Sequence, residues 1–244
     1  MTTKSLSLDN IFCLARDAML NAGANQENAD AVADTVMRAE RDGSHSHGLF
    51  RVPGYMSSLL SGKVNGDANP KMQSRTPVAL HCDGDYGYAP LAHRRSLNIL
   101  ADAAIVNGIS VLSIDHVHHF AALWPEVETL AMRGLVAMAC VSYTPMVAPF
   151  GAKKALYGTN PLSFAWPRPE ASPLVFDMAT AAMAMGDVQI AARDGRAVPS
   201  GTGLDEVGNL TTDPAEILKG VLLPFGGYKG SHIAMMIELL AGPL

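Results

Sequence analysis

Val78-Ala79-Leu80-His81-Cys82 and the segments that follow it decide the fold class. The apolar side chains of this run, followed by the turn signal Asp83-Gly84-Asp85, predict a β-strand. A helical pattern from Leu91 to Val106 comes next, and Ile109 to Ile114 predicts a buried strand. A strand, a helix and a strand in this order are typical of a βαβ unit. We therefore expect an α/β fold.

The same alternation continues towards the C-terminus. A short helix is expected from Glu126 to Arg133 and a buried strand from Leu135 to Val141, which suggests a second βαβ unit. The later predicted elements are strands near Leu162–Trp166 and Leu174–Phe176, a helix from about Ala179 to Arg193, and a helix from about Gly230 to Ala241.

The N-terminal part is predicted to be helical. Apolar residues from Leu8 to Ala22 recur at helical spacing, and Asn25 is a suitable N-cap for a second helix that runs to about Arg41. A third helix is expected from Gly48 to about Leu60, with Pro53 tolerated near its first turn.

No Gly-x-Gly-x-x-Gly motif follows any predicted strand, so a Rossmann fold is excluded on motif grounds. The glycine-rich segment Pro224–Gly230 instead precedes a helix. Its glycines and the helix N-terminus could hold an anion, with Lys229 adding a positive charge. The alternative is a flexible turn that only begins the helix.

Composition narrows the functional class. The chain has 244 residues, enough for one large or two modest domains. Its net charge of −5 argues against nucleic acid or an anionic membrane as a partner. No apolar run is long enough to span a bilayer, and the polar N-terminus lacks the pattern of a secretory signal. We expect a cytoplasmic protein whose three cysteines are reduced.

The turn Gly43-Ser44-His45-Ser46-His47-Gly48-Leu49-Phe50-Arg51 is the strongest candidate site. His47 and Arg51 are four residues apart and would share one face of a helix that began near His47. An imidazole exchanges protons near neutral pH, and a guanidinium binds carboxylates with two hydrogen bonds. This combination is suited to proton transfer on a small carboxylic acid. A solvent-exposed loop without function is the alternative.

Two other segments carry polar side chains near predicted strands. His116-Val117-His118-His119-Phe120 follows the strand that ends at Ile114, which favours a cofactor-contacting loop over a plain surface loop. A metal site is not expected, because no second set of ligands at suitable spacing accompanies these histidines. In Tyr157-Gly158-Thr159-Asn160-Pro161, Thr159 or Asn160 could donate a hydrogen bond to a ligand, or the turn could be structural.

Acidic side chains near the last predicted strand are less specific. Asp177 or Thr180 could serve only as an N-cap. Asp187 is predicted to lie in the middle of a helix on a fairly apolar face. If it points inward it requires a partner such as His47 or Ser46, because an unpaired buried charge is costly. Such a carboxylate would raise the pKa of the imidazole and keep it protonated.

Together these segments resemble the malate/L-lactate dehydrogenase family, whose members do not use the Rossmann fold. The resemblance covers the chain in order and rests on Ala39-Glu40 with Asp42-Gly43, Ser46-His47-Gly48 with Arg51, Gly158-Thr159-Asn160-Pro161, Asp177 with Ala179-Thr180, Leu223-Pro224-Phe225-Gly226-Gly227 with Lys229-Gly230, and Glu238-Leu239-Leu240-Ala241-Gly242. It implies a helical N-terminal part and a mixed-sheet cofactor domain. It also implies that the chain is C-terminally truncated relative to these proteins, which continue beyond Leu244.

Within the family, Met185–Arg193 is most similar to the reductases of Δ1-piperideine-2-carboxylate and Δ1-pyrroline-2-carboxylate. The resemblance implies NADPH-dependent reduction of these cyclic imino acids to L-pipecolate and L-proline. It implies that His47 donates the proton, with Ser46 and Asp187 as relay partners. Arg51 and Thr159 would hold the substrate carboxylate. The residues implied to line the NADPH site are His119, Phe120, Ala121, Ala122, Leu123, Asp177, Met178, Ala179, Tyr228 and Lys229.

The expected organisation is a helical region with the proton donor and substrate clamp (1–72), an α/β part (73–125) and an NADPH-binding domain (126–244). The resemblance suggests a homodimer. Two alternatives to imino acid reduction remain at this point. One is a 2-hydroxy-acid dehydrogenase for a malate-, lactate- or ureidoglycolate-like substrate, which would use the same His47 and Arg51. The other is an inactive truncated product.

Overall fold

The computed structural model describes residues 5–118 and 121–242. The chain divides into two compact units. Unit 1 comprises Met1–Leu135 and Pro167–Pro173, and unit 2 comprises Val136–Trp166 and Leu174–Leu244. None of the helices in the described ranges combines the length and apolar character needed to cross a bilayer.

Unit 1 begins with the two predicted helices. Helix α1 spans Leu8–Asn21 and helix α2 spans Gln26–Arg41. The Asn25 side chain caps α2 by accepting the backbone N–H of Asn28 at 3.0 Å, which satisfies one of the unpaired donors at a helix start. Both helix predictions and the cap are therefore confirmed.

The core of unit 1 lies between α1, α2 and the next α-helix, α3 (Val52–Leu60). Met19 of α1 and Val36 of α2 are completely buried there. Tyr55 and Tyr88 pack edge to face with ring centroids 5.3 Å apart, and the Tyr88 hydroxyl donates to the Tyr55 carbonyl oxygen at 2.7 Å. Burial raises the pKa of Tyr88 to about 12, so this hydrogen bond persists far above neutral pH.

The predicted third helix is shorter than expected. Two separate 3-10 turns, His45–His47 and Leu49–Arg51, precede helix α3, which spans Val52–Leu60. Gly48 interrupts the helical path with φ −90° and ψ −138°. His47 and Arg51 therefore do not share a continuous helix, and the expectation that they lie on one helical face is wrong. Pro53 lies in the first turn of α3, as expected.

A mixed three-stranded sheet completes the architecture of unit 1. Strand β1 (Lys71–Ser74) pairs antiparallel with β2 (Ala79–Gly87), which pairs parallel with β3 (Val111–Val117). Helix α4 (Ala89–Asn107) connects β2 to β3, so the first βαβ prediction is confirmed. Helix α5 follows at Trp124–Ala131.

Two details of this sheet differ from the sequence prediction. The turn expected at Asp83-Gly84-Asp85 does not end the strand, because β2 continues to Gly87 with a register irregularity after Asp83. Asp85 and Tyr86 have φ of 53° and 57°, so the turn signal marks a local distortion of the strand. Strand β1 was not predicted, because its Lys71-Met72-Gln73-Ser74 sequence has no apolar stretch.

The remainder of the chain forms two further sheets. Strand β4 (Ala137–Cys140) pairs antiparallel with β5 (Leu162–Arg168), and β6 (Ala171–Met178) is the other neighbour of β5. Because β4 pairs with β5, the second predicted βαβ unit is wrong. The elements that follow β6 are α6 (Met185–Arg193), β7 (Gly203–Leu204), β8 (Leu210–Thr211), α7 (Pro214–Ile217), β9 (Val221–Leu222) and α8 (Tyr228–Ala241). The three short strands form the third sheet, in the order β8, β7, β9.

Helix α6 begins at Met185, six residues later than expected. The segment before it pairs with Leu223–Phe225 through an isolated bridge between Ala181 and Pro224. The Ala182 N–H donates to the Leu223 carbonyl at 2.8 Å, and the Phe225 N–H donates to the Thr180 carbonyl at 3.0 Å. Long-range backbone pairing therefore prevents a helix here. The expected N-cap role of Asp177 or Thr180 is wrong, because Ala184 occupies the cap position.

Close packing of the loops in unit 1 gives the first testable prediction. A Cβ atom on Gly66 would lie 2.1 Å from the Gly23 carbonyl oxygen, whereas a Cβ on Gly54 would meet no atom within 4 Å. We expect Gly66→Ala to lower the free energy of unfolding by about 1–3 kcal/mol, since backbone must move. Gly54→Ala, in helix α3, should raise it by ~0.5 kcal/mol. Urea unfolding measures both, and equal stability of the two variants would contradict the packing described.

Candidate active site

In unit 1, the turn between α2 and α3 holds the predicted proton donor. His47 Nδ1 lies 3.1 Å from the Ser46 hydroxyl oxygen and 3.3 Å from that of Ser44. Ser46 is buried and His47 is half-buried. Two hydroxyl groups thus face the same ring nitrogen of His47 and orient the imidazole. Ser46 was predicted as a relay partner of His47, and the structure shows their contact. The contact of Ser44 with the same nitrogen was not predicted.

Arg51 is fixed at one end only. Its Nε donates to the Ser46 carbonyl oxygen at 2.7 Å, and its guanidinium carbon lies 5.7 Å from the centre of the Phe50 ring. These contacts hold the stem of the side chain. Within the described residues of unit 1, neither terminal amino group donates a hydrogen bond, so both can grip a carboxylate.

In unit 2, Thr180 joins three of the predicted site segments. Its backbone N–H and its hydroxyl both donate to the Thr159 carbonyl oxygen, at 2.8 and 2.9 Å. Its own carbonyl accepts the Phe225 N–H. Thr180 is completely buried. It therefore brings the Thr159 turn, the segment after β6 and the glycine-rich turn before α8 together, a role that sequence reasoning missed.

Asn160 is not available to a ligand. It is completely buried with φ 36°. Its side-chain amide donates to the Ala234 carbonyl at 3.0 Å and to a Glu238 carboxylate oxygen at 2.8 Å, and its side-chain oxygen accepts the Tyr143 N–H at 3.1 Å. The option that Asn160 donates to a ligand is therefore wrong. Thr159, partly exposed beside it, remains the candidate.

The glycine-rich turn has the features of an anion site. Gly226 and Gly227 have φ of 54° and 64°, a region that favours glycine, and α8 starts directly after them. Tyr228 and Lys229 are exposed in the first turn of α8. Unpaired N–H groups at a helix start and a lysine beside them suit a phosphate.

The other predicted site residues of unit 2 lie at the end of β6 and at the start of α6. Asp177 and Met178 end strand β6, and Ala179 follows it. Asp187 lies in the first turn of α6, and its side chain is exposed. The expectation of a mid-helix aspartate on an apolar face is wrong because α6 starts so late. Within the described residues of unit 2, the carboxylate makes no hydrogen bond or ion pair.

The predicted loop after β3 is only partly described. His119 and Phe120 lie outside the described residues. Ala121, Ala122 and Leu123 are buried just before α5. His118 Nε2 lies 3.2 Å from the Ser58 hydroxyl oxygen, and burial together with the charge of Lys63 lowers the pKa of His118.

One surface cluster has cation-binding residue types. Ligand atoms of Asp83, Asp115 and His116 lie within 4.8 Å of one another in the described part of the chain. His116 Nδ1 and Asp83 Oδ1 are 3.2 Å apart. Asp83 also accepts the Asp85 N–H, which together with His116 lowers the pKa of this carboxyl group. These are the contacts of exposed histidine–carboxylate pairs, and we assign no metal to them.

Comparison with known proteins identifies relatives over nearly the full chain. At 47% identity, the chain matches a Δ1-pyrroline-2-carboxylate/Δ1-piperideine-2-carboxylate reductase of Pseudomonas syringae pv. tomato over 99% of the chain and 71% of that protein. A reductase of the same name from Pseudomonas putida is 50% identical over 91% of the chain and 65% of its own length. The chain thus spans about two thirds to seven tenths of these relatives.

A solved structure of a relative has the same fold as this chain. The crystal structure of Δ1-piperideine-2-carboxylate reductase from Pseudomonas syringae superimposes with a TM-score of 0.95 at 47% identity, covering 99% of this chain and 73% of that one. The family model described as malate/L-lactate dehydrogenase matches residues 6–244. The chain therefore belongs to the malate/L-lactate dehydrogenase family.

Proposed function

We propose that the chain catalyses NADPH-dependent reduction of cyclic imino acids, converting Δ1-piperideine-2-carboxylate to L-pipecolate and Δ1-pyrroline-2-carboxylate to L-proline. Membership of a dehydrogenase family makes it an oxidoreductase with a nicotinamide cofactor. The names of the relatives support the substrate class. The observation that carries the proposal is that Ser46 contacts both residues, the His47 ring through its hydroxyl and the Arg51 Nε through its carbonyl.

The residues of unit 1 supply the proton and one substrate contact. Protonation of the ring nitrogen by His47 makes the adjacent carbon, C2, electrophilic. The Ser46 hydroxyl at Nδ1 holds the imidazole and takes part in its reprotonation. Arg51 binds the carboxylate on C2 through its terminal amino groups. The carbon–nitrogen double bond becomes a single bond, with one proton gained on nitrogen and one hydride on C2.

The residues of unit 2 complete the proposal. Thr159, fixed through its carbonyl by Thr180, contributes the second contact to the substrate carboxylate. The turn at Gly226 and Gly227, with Lys229, fits a cofactor phosphate. NADPH, when bound, supplies the hydride. Asp187 acts as the relay carboxylate that keeps the imidazole protonated.

A 2-hydroxy-acid dehydrogenase is the second candidate, favoured by the description of the matching family model as malate/L-lactate dehydrogenase. It would use His47 and Arg51 in the reverse proton transfer. The names of the relatives, which are reductases of cyclic imino acids, favour the imine substrate. Assays with both imino acids and with malate and lactate separate the two: oxidation of the hydroxy acids without imine turnover reverses the order.

Removing the proton donor should abolish most turnover. We expect His47→Ala to lower kcat for Δ1-piperideine-2-carboxylate by about 10²–10⁴-fold, the usual contribution of a general acid. Asp102→Ala is the control, because Asp102 is an exposed residue of helix α4 in the same unit that pairs with Arg133, and it should retain full activity. NADPH consumption at 340 nm measures the rates. Wild-type turnover in His47→Ala would remove this residue from the mechanism.

The proposed relay role of Asp187 should be visible in the pH dependence of kcat. Asp187→Asn should lower kcat by ~10-fold or more and shift the alkaline fall in activity to lower pH. The imidazolium loses its proton more readily without a carboxylate to stabilise it. Asp194→Asn, at the other end of α6, is the control, because this carboxylate pairs with Arg193. An unchanged profile for Asp187→Asn would assign the relay elsewhere.

The position of Thr159 should depend on Thr180. Thr180→Val removes the hydroxyl that donates to the Thr159 carbonyl, and Thr202→Val removes a buried hydroxyl that donates to the Pro199 carbonyl at 2.7 Å. Both variants should lose about 1 kcal/mol of stability. Only Thr180→Val should raise the KM for the imino acid, by ~3–10-fold. Equal KM values in the two variants would contradict the role of Thr159.

A further inference from the structure

We propose that Glu40 is the positioning residue of the turn that carries His47 and Arg51. The catalytic part of this inference rests on the proposed function, whereas its structural part does not. Glu40 lies in the last turn of α2, seven residues before His47. Its side chain is 14% exposed and points to the turn rather than to solvent. No role had been predicted for it from the sequence.

The Glu40 carboxylate holds the turn at two points. Its Oε1 accepts the Leu49 backbone N–H at 2.8 Å, and its Oε2 lies 2.7 Å from His45 Nδ1. Leu49 follows His47 by two residues and His45 precedes it by two. One rigid helix therefore fixes the chain on both sides of the proton donor.

Gly48 provides the space for this contact. A Cβ atom at position 48 would lie 2.1 Å from Glu40 Oε1 and 2.5 Å from its carboxyl carbon. The glycine is needed for close approach and not for a left-handed conformation, because its φ is −90°. The carboxylate thus occupies the volume that a side chain at position 48 would take.

The other hydrogen bonds described for this part of the backbone are mostly local. Two bonds close the first 3-10 turn, from the His47 N–H to the Ser44 carbonyl at 2.8 Å and from the Gly48 N–H to the His45 carbonyl at 3.3 Å. The second turn is closed by the Arg51 N–H to the Gly48 carbonyl at 3.0 Å and by the Val52 N–H to the Leu49 carbonyl. The Arg51 side chain in turn depends on the Ser46 carbonyl. Loss of the Glu40 contacts would therefore displace the acid and the carboxylate clamp together. A displacement of about 1 Å can cost ~10²-fold in rate.

Two conservative variants separate the position of the acceptor from its charge. Glu40→Gln keeps an oxygen that can accept the Leu49 N–H but removes the charge. Glu40→Asp keeps the charge but withdraws the carboxylate by one C–C bond, ~1.5 Å. We expect Glu40→Gln to keep kcat within ~3-fold of wild type and Glu40→Asp and Glu40→Ala to lower it by ~10–100-fold.

The control is Asp34→Ala, which removes a carboxylate on the same helix that pairs with Arg38 at 3.0 Å. It should leave kcat unchanged. Full activity in both Glu40→Asp and Glu40→Ala overturns the proposal. An activity of Glu40→Gln as low as that of Glu40→Ala also overturns it, because the charge and not the placed acceptor would then matter.

Hydrogen–deuterium exchange supplies a readout that does not need activity. The Leu49 amide, in a peptide spanning residues 45–55, should exchange ~10-fold or more faster in Glu40→Asp and Glu40→Ala than in wild type. Glu40→Gln and Asp34→Ala should match wild type. Unchanged exchange in Glu40→Asp overturns the proposal. If the wild-type protein reduces neither imino acid, the proposed function fails, and the exchange result still decides the role of Glu40.

Discussion

The hydrogen bond from the Leu49 N–H to the Glu40 carboxylate is the interaction on which the candidate site most depends. Short 3-10 turns have few hydrogen bonds and poorer geometry than an α-helix, so they need outside support to stay in one conformation. Helix α2 supplies that support because it is packed against α1 in the core of unit 1. Because α2 is fixed in the core, its Glu40 side chain fixes the backbone of the turn that carries His47 and Arg51.

In unit 2, an uncharged side chain, that of Thr180, holds a turn in place. Thr159 lies in a turn, and its carbonyl receives two hydrogen bonds from the buried Thr180. Asn160, beside it, bonds to helix α8 and to the Tyr143 backbone. Buried polar groups are costly when unsatisfied, so these satisfied ones favour a single arrangement. In both units a loop residue with a proposed chemical role is fixed by polar contacts from residues elsewhere in the unit.

The sequence predicted the parts of the fold that depend on local patterns. Helices α1 and α2 show apolar side chains at helical spacing and, for α2, the Asn25 cap, so their limits were found to within one residue. The late start of α6 could not be predicted, because it depends on pairing with residues more than forty positions away, at Leu223 and Phe225. Gly48 was mistaken for a helix start for a similar reason. At this point the Leu49 N–H donates to the side chain of Glu40, a contact that the apolar pattern does not show.

The candidate site could also be predicted only in part. Residue types with a distinct chemistry, such as His47 and Arg51, were recognisable directly, and their pairing with Ser46 is seen in the structure. The residues that hold them in place were not recognisable. Glu40 and Thr180 have residue types that are common in helices and turns, and only the fold shows which backbone groups they contact.

The most direct test of the account follows the hydride. The protein is incubated with Δ1-piperideine-2-carboxylate and NADPH that carries deuterium at the transferring C4 position, and the product is examined by mass spectrometry and NMR. The expected product is L-pipecolate with one deuterium on the carbon that bears the carboxylate. Formation of unlabelled product, or an absence of pipecolate while malate or lactate is oxidised, would contradict it.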